Sequence, residues 1–133
     1  MKIVFDSFAI LAFFREEKGC ETVAELLTSL QLKETQGLMS VMNAGEVFYT
    51  TSRKQGEKKA SEVIDAMMKL QIEFVDSDLV LSLEAAKLKA KYKFSYADAF
   101  AAALTIKHKA TLITGDKEFK ELLAEPHFKV KFI

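Results

Sequence analysis

Four carboxylates, Asp6, Glu46, Asp98 and Asp116, each sit where an apolar, strand-like run gives way to a helix, or within one turn of that helix start. Carboxylates do not gather without a reason. Two like charges about 4 Å apart repel by roughly 4 kcal/mol at an effective dielectric near 20, so several converge only around a cation. If the four junctions lie at one edge of one sheet, they describe a divalent-metal site. Ligation by carboxylates and water alone suits magnesium or manganese rather than zinc. The neighbours Ser7, Gly45, Ala97, Ala99, Thr114 and Gly115 are small or carry a hydroxyl, which leaves room for a hydrated ion. The two histidines, His108 and His127, stand in lysine-rich or terminal contexts and read as surface residues, which further disfavours zinc.

Each acid taken singly has a plainer explanation. Ser95-Tyr96-Ala97-Asp98 is a capping-box pattern, and Asn43-Ala44-Gly45-Glu46 is close to one. Acids in a first helical turn are favoured by the macrodipole. Asp65, Asp76 and Asp78 fit caps or solvated faces and are set aside. Other chemistries find no support: there is no glycine-rich phosphate loop and no Gly-x-Ser-x-Gly elbow. Asp6-Ser7-Phe8 lacks the second aspartate of a phosphoaspartate-forming hydrolase, and no acidic pair of the response-regulator kind follows the first strand. Cys20 follows a glycine in a charged turn with no histidine partner, and reads as a bystander.

The elements that must position these acids are legible from periodicity. KIVF (residues 2–5) is a short buried strand ended by Asp6 and Ser7. FAILAFF is too apolar for an exposed helix, so a short helix packed on the sheet is expected through residue 15, followed by a turn at Glu16–Gly19. Residues 21–33 carry Val23, Leu26, Leu27 and Leu30 at helical spacing. LMSV after Gly37 is a weak strand candidate; Asn43 then opens a helix, and Gly56 separates it from another over 57–70. IEFV (72–75) is a strand, followed by a helix that ends in KLKAKYK. Ser95 starts the helix YADAFAAALTIKH, TLIT (111–114) is a strand, and 117–123 is a helix stopped by Pro126 before a last strand, FKVKFI. Strands alternating with helices imply parallel pairing, hence a three-layer α/β/α sandwich. Asp6 and Asp116 then lie at strand carboxyl ends, where open parallel sheets bind ligands.

Composition bounds the rest. A chain of 133 residues fits a single domain. Nineteen basic residues balance nineteen acidic ones, so no global field attracts a polyanion and any nucleic acid must be held locally. The candidate basic clusters are Arg53-Lys54 with Lys58-Lys59, the run Lys87-Lys89-Lys91-Lys93, and Lys107 with Lys109; for at least two of the three a solubilising helical face is the better account. One cysteine fits a reducing, cytoplasmic setting. No signal peptide is read, and no apolar run is long enough to span a bilayer.

The stretches IVFDSFAILAFF, NAGEVFYT and SYADAFAAALTIKHKATLITGDKEF, in this order and at this spacing, resemble a PIN domain, most closely the toxin ribonucleases of VapBC toxin–antitoxin systems. The resemblance covers essentially the whole chain, 1–133, as one nuclease domain. It implies a parallel five-stranded sheet flanked by helices and a Mg2+- or Mn2+-dependent endoribonuclease. It places the family's acids on Asp6, Glu46, Asp98 and Asp116, as metal ligands and catalytic groups. Supporting polar positions fall on Ser7, Asn43 and Thr114. Lys117 stands where a proline often follows the last aspartate, and Glu118 is a possible extra acid of unsettled orientation. The resemblance also implies an RNA substrate, a cognate antitoxin and a homodimer. The apolar residues of FAILAFFREEKG and of 57–70 (Val63, Ile64, Met67, Met68) read equally as a dimer patch or as core. The competing readings are a PIN-fold RNA-binding or regulatory protein with weak or no nuclease activity, or a DNA-flap nuclease. No insertion able to arch over a flap is present, and retention of all four acids weighs against a non-catalytic module.

Overall fold

The computed structural model describes residues 1–133. Its central strand is KIVF, β1 (Lys2–Phe5), whose Ile3, Val4 and Phe5 are all buried because the sheet is covered on both faces. The chain continues through α1 (Ser7–Phe14), α2 (Cys20–Gln31), β2 (Gln36–Ser40), α3 (Val41–Gln55) and α4 (Glu57–Lys69). It then forms β3 (Ile72–Val75), α5 (Leu79–Lys91), α6 (Tyr96–Lys107), β4 (Thr111–Thr114), a 3-10 helix (Lys117–Ala124) and β5 (Val130–Phe132). The five strands run in the order β3-β2-β1-β4-β5, and every neighbouring pair is parallel.

Alternation along the strands divides the core in two. Val4 pairs with Leu38 and Leu112, and these three pack with α5, α6 and the 3-10 helix. Ile3, Phe5, Met39 and Ile113 point the other way, against α1 to α4. Seven consecutive residues of α6, Ala99 to Thr105, are buried, and its alanines let the helix lie close on the sheet. Gly37 serves the opposite layer: a Cβ there would come within 2.7 Å of the Leu30 side chain, so α2 can approach β2 only over a glycine.

The expected elements all form, with shifted ends. β2 takes in Gln36 and Gly37 and stops at Ser40, and Val41 is already helical. The segment after β4 winds as a 3-10 helix, and β5 is shorter than FKVKFI. Of the suggested dimer patch, Val63 and Met67 belong to the core, Ile64 packs partly against it, and Met68 is exposed. No helix is long and apolar enough to cross a membrane.

Candidate acidic site

β1 is bonded to β2 on one side and β4 on the other, so successive connections leave it in opposite directions and open a crevice at its carboxyl end. Asp6 sits in that crevice, 1% exposed. It caps α1, its Oδ1 accepting from the Ala9 amide at 2.9 Å, as an N-cap aspartate does. Phe5 lies opposite Ile113, which sets Thr114 beside Asp6, and the Thr114 hydroxyl donates to Asp6 Oδ2. Thr114 Oγ1 also accepts from the Asp116 amide at 3.0 Å. One hydroxyl thus holds the aspartate after β1 and the turn after β4 together. Asp116 in turn caps the 3-10 helix, accepting from the Glu118 amide at 2.9 Å.

Glu46 corrects the sequence reading. Ser40, not Asn43, caps α3, accepting from the Met42 amide at 3.1 Å. Counted from Val41, Asn43 is the third helical residue and Glu46 the sixth. Glu46 therefore lies in the second turn, beyond the reach of a cap, and the near-capping-box explanation for it falls away. Its carboxylate accepts from the Ser7 hydroxyl, which ties α3 to α1. Asn43 is fully buried, and its Nδ2 donates to the Ala97 carbonyl at 3.2 Å, tying α3 to α6 just before Asp98. Its Oδ1 has no donor.

Asp98 satisfies both explanations offered for it. Ser95 caps α6, accepting from the Asp98 amide at 3.1 Å, and the nearby Ser95 hydroxyl and backbone favour the charged Asp98 carboxylate against its burial. The same carboxylate faces Asp116 and Glu46, whose charges push its pKa up.

The electrostatics bind the four acids into one cluster. Burial raises the Asp6 pKa to about 7; the Thr114 and Ala9 hydrogen bonds act against this, and the charges of Asp98 and Asp116 add to it. Burial likewise lifts Asp98 to about 6, with Asp116 and Glu46 contributing. No lysine or arginine is among the groups that set either value. Carboxylate oxygens of Asp98, Asp116 and Glu118 lie within 4.8 Å of one another, so Glu118 does turn toward the acids. Its signal in the sequence is its place two residues after Asp116, in the first turn of the 3-10 helix. The Phe8 ring, 47% exposed, covers Gly115 at the rim; a Cβ at 115 would sit 2.2 Å from it.

His108 is at the carboxyl end of α6 and His127 is exposed beyond the 3-10 helix, neither with the acids. The Cys20 thiol donates to the Phe13 carbonyl, also elsewhere. The largest hollow, about 520 Å³ between α5 and α6, contains none of the four acids, so the acidic site is an open edge and not a deep pocket. Its donors are all oxygens, none of the four acids is in an ion pair, and a buried acceptor on Asn43 has no donor. That set fits a hard, hydrated divalent ion.

The sequence matches the PIN domain over residues 3–123. No curated protein sequence matches it. The fold superposes on VapBC2 from Rickettsia felis bound to a DNA fragment from its promoter, with a TM-score of 0.77, 17% identity, and 99% of this chain and 98% of that chain covered. VapBC-1 from nontypeable Haemophilus influenzae follows at 0.75 and 17%, covering 99% and 98%. Mycobacterium tuberculosis VapC20, a Sarcin-Ricin loop cleaving toxin, follows at 0.74 and 17%, covering 90% and 93%. At such identities the likeness speaks for the fold, here a five-stranded parallel α/β sandwich shared with VapC toxins. With the family match spanning most of its length, the chain belongs to the PIN-domain family.

Proposed function

We propose that this chain, as a single domain, is a divalent-metal-dependent endoribonuclease, the toxin of a type II toxin–antitoxin pair. The observation that carries the reading is the convergence of four acids from separate chain segments, none of them in an ion pair. Asp6, Glu46, Asp98 and Asp116 would hold Mg2+ or Mn2+, with Glu118 at the rim. When bound, the ion supplies a Lewis acid for the phosphodiester and lowers the pKa of the attacking water. The remaining work falls to the protein. Thr114 fixes the Asp6 carboxylate, Ser7 orients Glu46, and Asn43 holds α3 against α6 so that Glu46 and Asp98 face one centre. Glu118, exposed beside Asp98 and Asp116, is the carboxylate with room to take a proton from the water.

Two of the three similar structures are VapBC assemblies, which supports an antitoxin as partner. A homodimer is also part of the proposal, and its apolar contact shifts from the 57–70 segment to α5, where Leu79, Val80 and Leu83 are exposed. The single free cysteine fits a cytoplasmic protein. The test is incubation of a mixed RNA pool with Mn2+, comparing wild type with Asp6→Asn. Cleavage by the wild type alone is expected. Equal cleavage by both would sink the assignment, and RNA bound but never cut would make the chain an RNA-binding module instead.

A further inference from the structure

We propose that Arg15, Thr50, Arg53 and Lys54 form a phosphate-binding subsite that grips the RNA strand away from the acids, at the far end of the α1–α3 cleft. The proposal rests on the nuclease reading above and deepens it. These four residues alone line a hollow of about 270 Å³, three cations and a hydroxyl with no carboxylate among them. In a chain with no net charge, such a concentration is local by design. None of the three cations is in an ion pair: the two salt bridges present are Lys87–Glu84 and Lys91–Glu125. Those pairs make the α5 lysine run a solvated face, whereas the cations at this hollow have no such partners.

Arg15 carries the second observation. It ends α1, and its Nη2 is buried without an acceptor. A buried charged donor without an acceptor is costly, so this nitrogen lacks a partner within its own chain, and the hollow that Arg15 lines is where one would be met. Favourable placement of cations at a helix carboxyl end explains why Arg53 and Lys54 sit in the last turn of α3. It does not explain a buried, unpartnered guanidinium nitrogen on α1. Glu16 and Glu17 border a neighbouring hollow with Arg15, Lys54 and Lys59, yet neither pairs with a cation. Arg53 lies over the half-exposed Tyr49 ring, 4.9 Å from its centroid, and is itself exposed. A planar fork of donors matches phosphate geometry.

Placement supplies the link to the acids. Asp6 begins α1 and Arg15 ends it. Glu46, Thr50 and Arg53 follow at helical spacing on α3, and Arg53 lies about 10 Å along the axis from Glu46. The Ser7–Glu46 hydrogen bond closes the acidic end of the cleft, and the basic hollow closes the other. A strand with one phosphate at the acids and running along the cleft would present a different phosphate to the cations.

The experiment has two arms, with Arg15→Gln, Arg53→Gln and, as a control, Lys87→Gln. Binding of a fluorescent single-stranded oligoribonucleotide is measured in EDTA over a range of salt. Each arginine variant is expected to raise Kd roughly tenfold and to flatten the log–log salt slope by about 0.7, the loss of one phosphate contact. Lys87→Gln should do neither. In the second arm, cleavage with Mn2+ should show KM raised on the long oligonucleotide, kcat unchanged, and a dinucleotide too short to reach the hollow cut as by wild type. Arg53 is exposed, so its variant should fold even if Arg15→Gln does not. Unchanged Kd, slope and KM in Arg53→Gln, with wild type still cutting RNA through Asp6, would overturn the subsite and leave the nuclease reading standing. Loss of binding to an acidic peptide with RNA binding intact would overturn it too, assigning the hollow to a protein partner. Wild type that neither binds nor cuts RNA would bring down both.

Discussion

Raising the pH of the metal-free protein from about 5 to about 8 is expected to lower its stability, and Asp6→Asn is expected to remove most of that loss. Asp6 has its ordinary carboxylate pKa, 3.8, when unfolded and about 7 in the folded chain. The native state therefore holds a proton that the unfolded state has already released. With more protons bound to the native state than to the unfolded state, stability falls as pH rises, and the fall ends once pH has passed the folded value. At 1.36 kcal/mol per unit, the interval from about pH 5 to about pH 8 costs roughly 2–3 kcal/mol. Asp98, raised to about 6, titrates within the same range and adds to the fall. For a chain of this length the fall corresponds to a drop in Tm of roughly 10 °C. Urea unfolding in EDTA at several pH values measures it directly. Asparagine keeps an acceptor for the Ala9 amide and carries no charge, so the variant should keep only the smaller slope that Asp98 contributes over the same range. Added Mg2+ should restore wild type at high pH by mass action, about 2.7 kcal/mol at a hundredfold excess over Kd. A wild type whose stability is flat or rises with pH, or an Asp6→Asn variant with an undiminished slope, would refute the reasoning.

Asp98→Ala removes both the charge and the capping acceptor, so in EDTA near pH 8 urea unfolding should show stability unchanged or raised; a loss of about 0.5–2 kcal/mol would make Asp98 a capping residue and nothing more. Thr114→Val removes the donor to Asp6 and the acceptor of the Asp116 amide, and should cost about 1–3 kcal/mol. It should also move the pH midpoint of the stability loss upward, because the hydroxyl holds the Asp6 pKa down. Gly115→Ala drives a methyl into the Phe8 ring and should lower Tm, whereas adding Phe8→Ala should recover it, with a coupling of about 0.5–3 kcal/mol in a double-mutant cycle.

The strands KIVF, IEFV and TLIT are legible because both faces of a parallel sheet are buried, which leaves unbroken apolar runs between polar stops. β2 is the weak one: Gly37 and Ser40 interrupt its run, each for a local reason, close approach of α2 and capping of α3. Val41 then reads as strand but is helix, and that one shift misplaces Asn43 and Glu46 relative to their cap. Asp6 and Asp116 follow from strand ends alone. Glu46 and Asp98 reach the site through contacts between helices, the Ser7 and Asn43 hydrogen bonds, which no periodicity encodes. The basic hollow was half legible, since Arg53-Lys54 stands out as a cluster, but Arg15 joins it only because α1 and α3 pack side by side.

The hydroxyl that joins Asp6 to the turn after β4 spans 108 positions of sequence. Chains are made from the amino end at about 5–20 residues per second, so Asp6 emerges seconds before its partner exists. Over that interval β1 lacks one of its two neighbours, and the acids lack Thr114, Asp116 and Glu118. Whatever the cluster binds, a half-made chain cannot bind it with the full set. A growing polypeptide is held on a ribosome, surrounded by RNA, and here the topology postpones assembly of the site until synthesis has passed the last acids. The order of the strands acts as a timer.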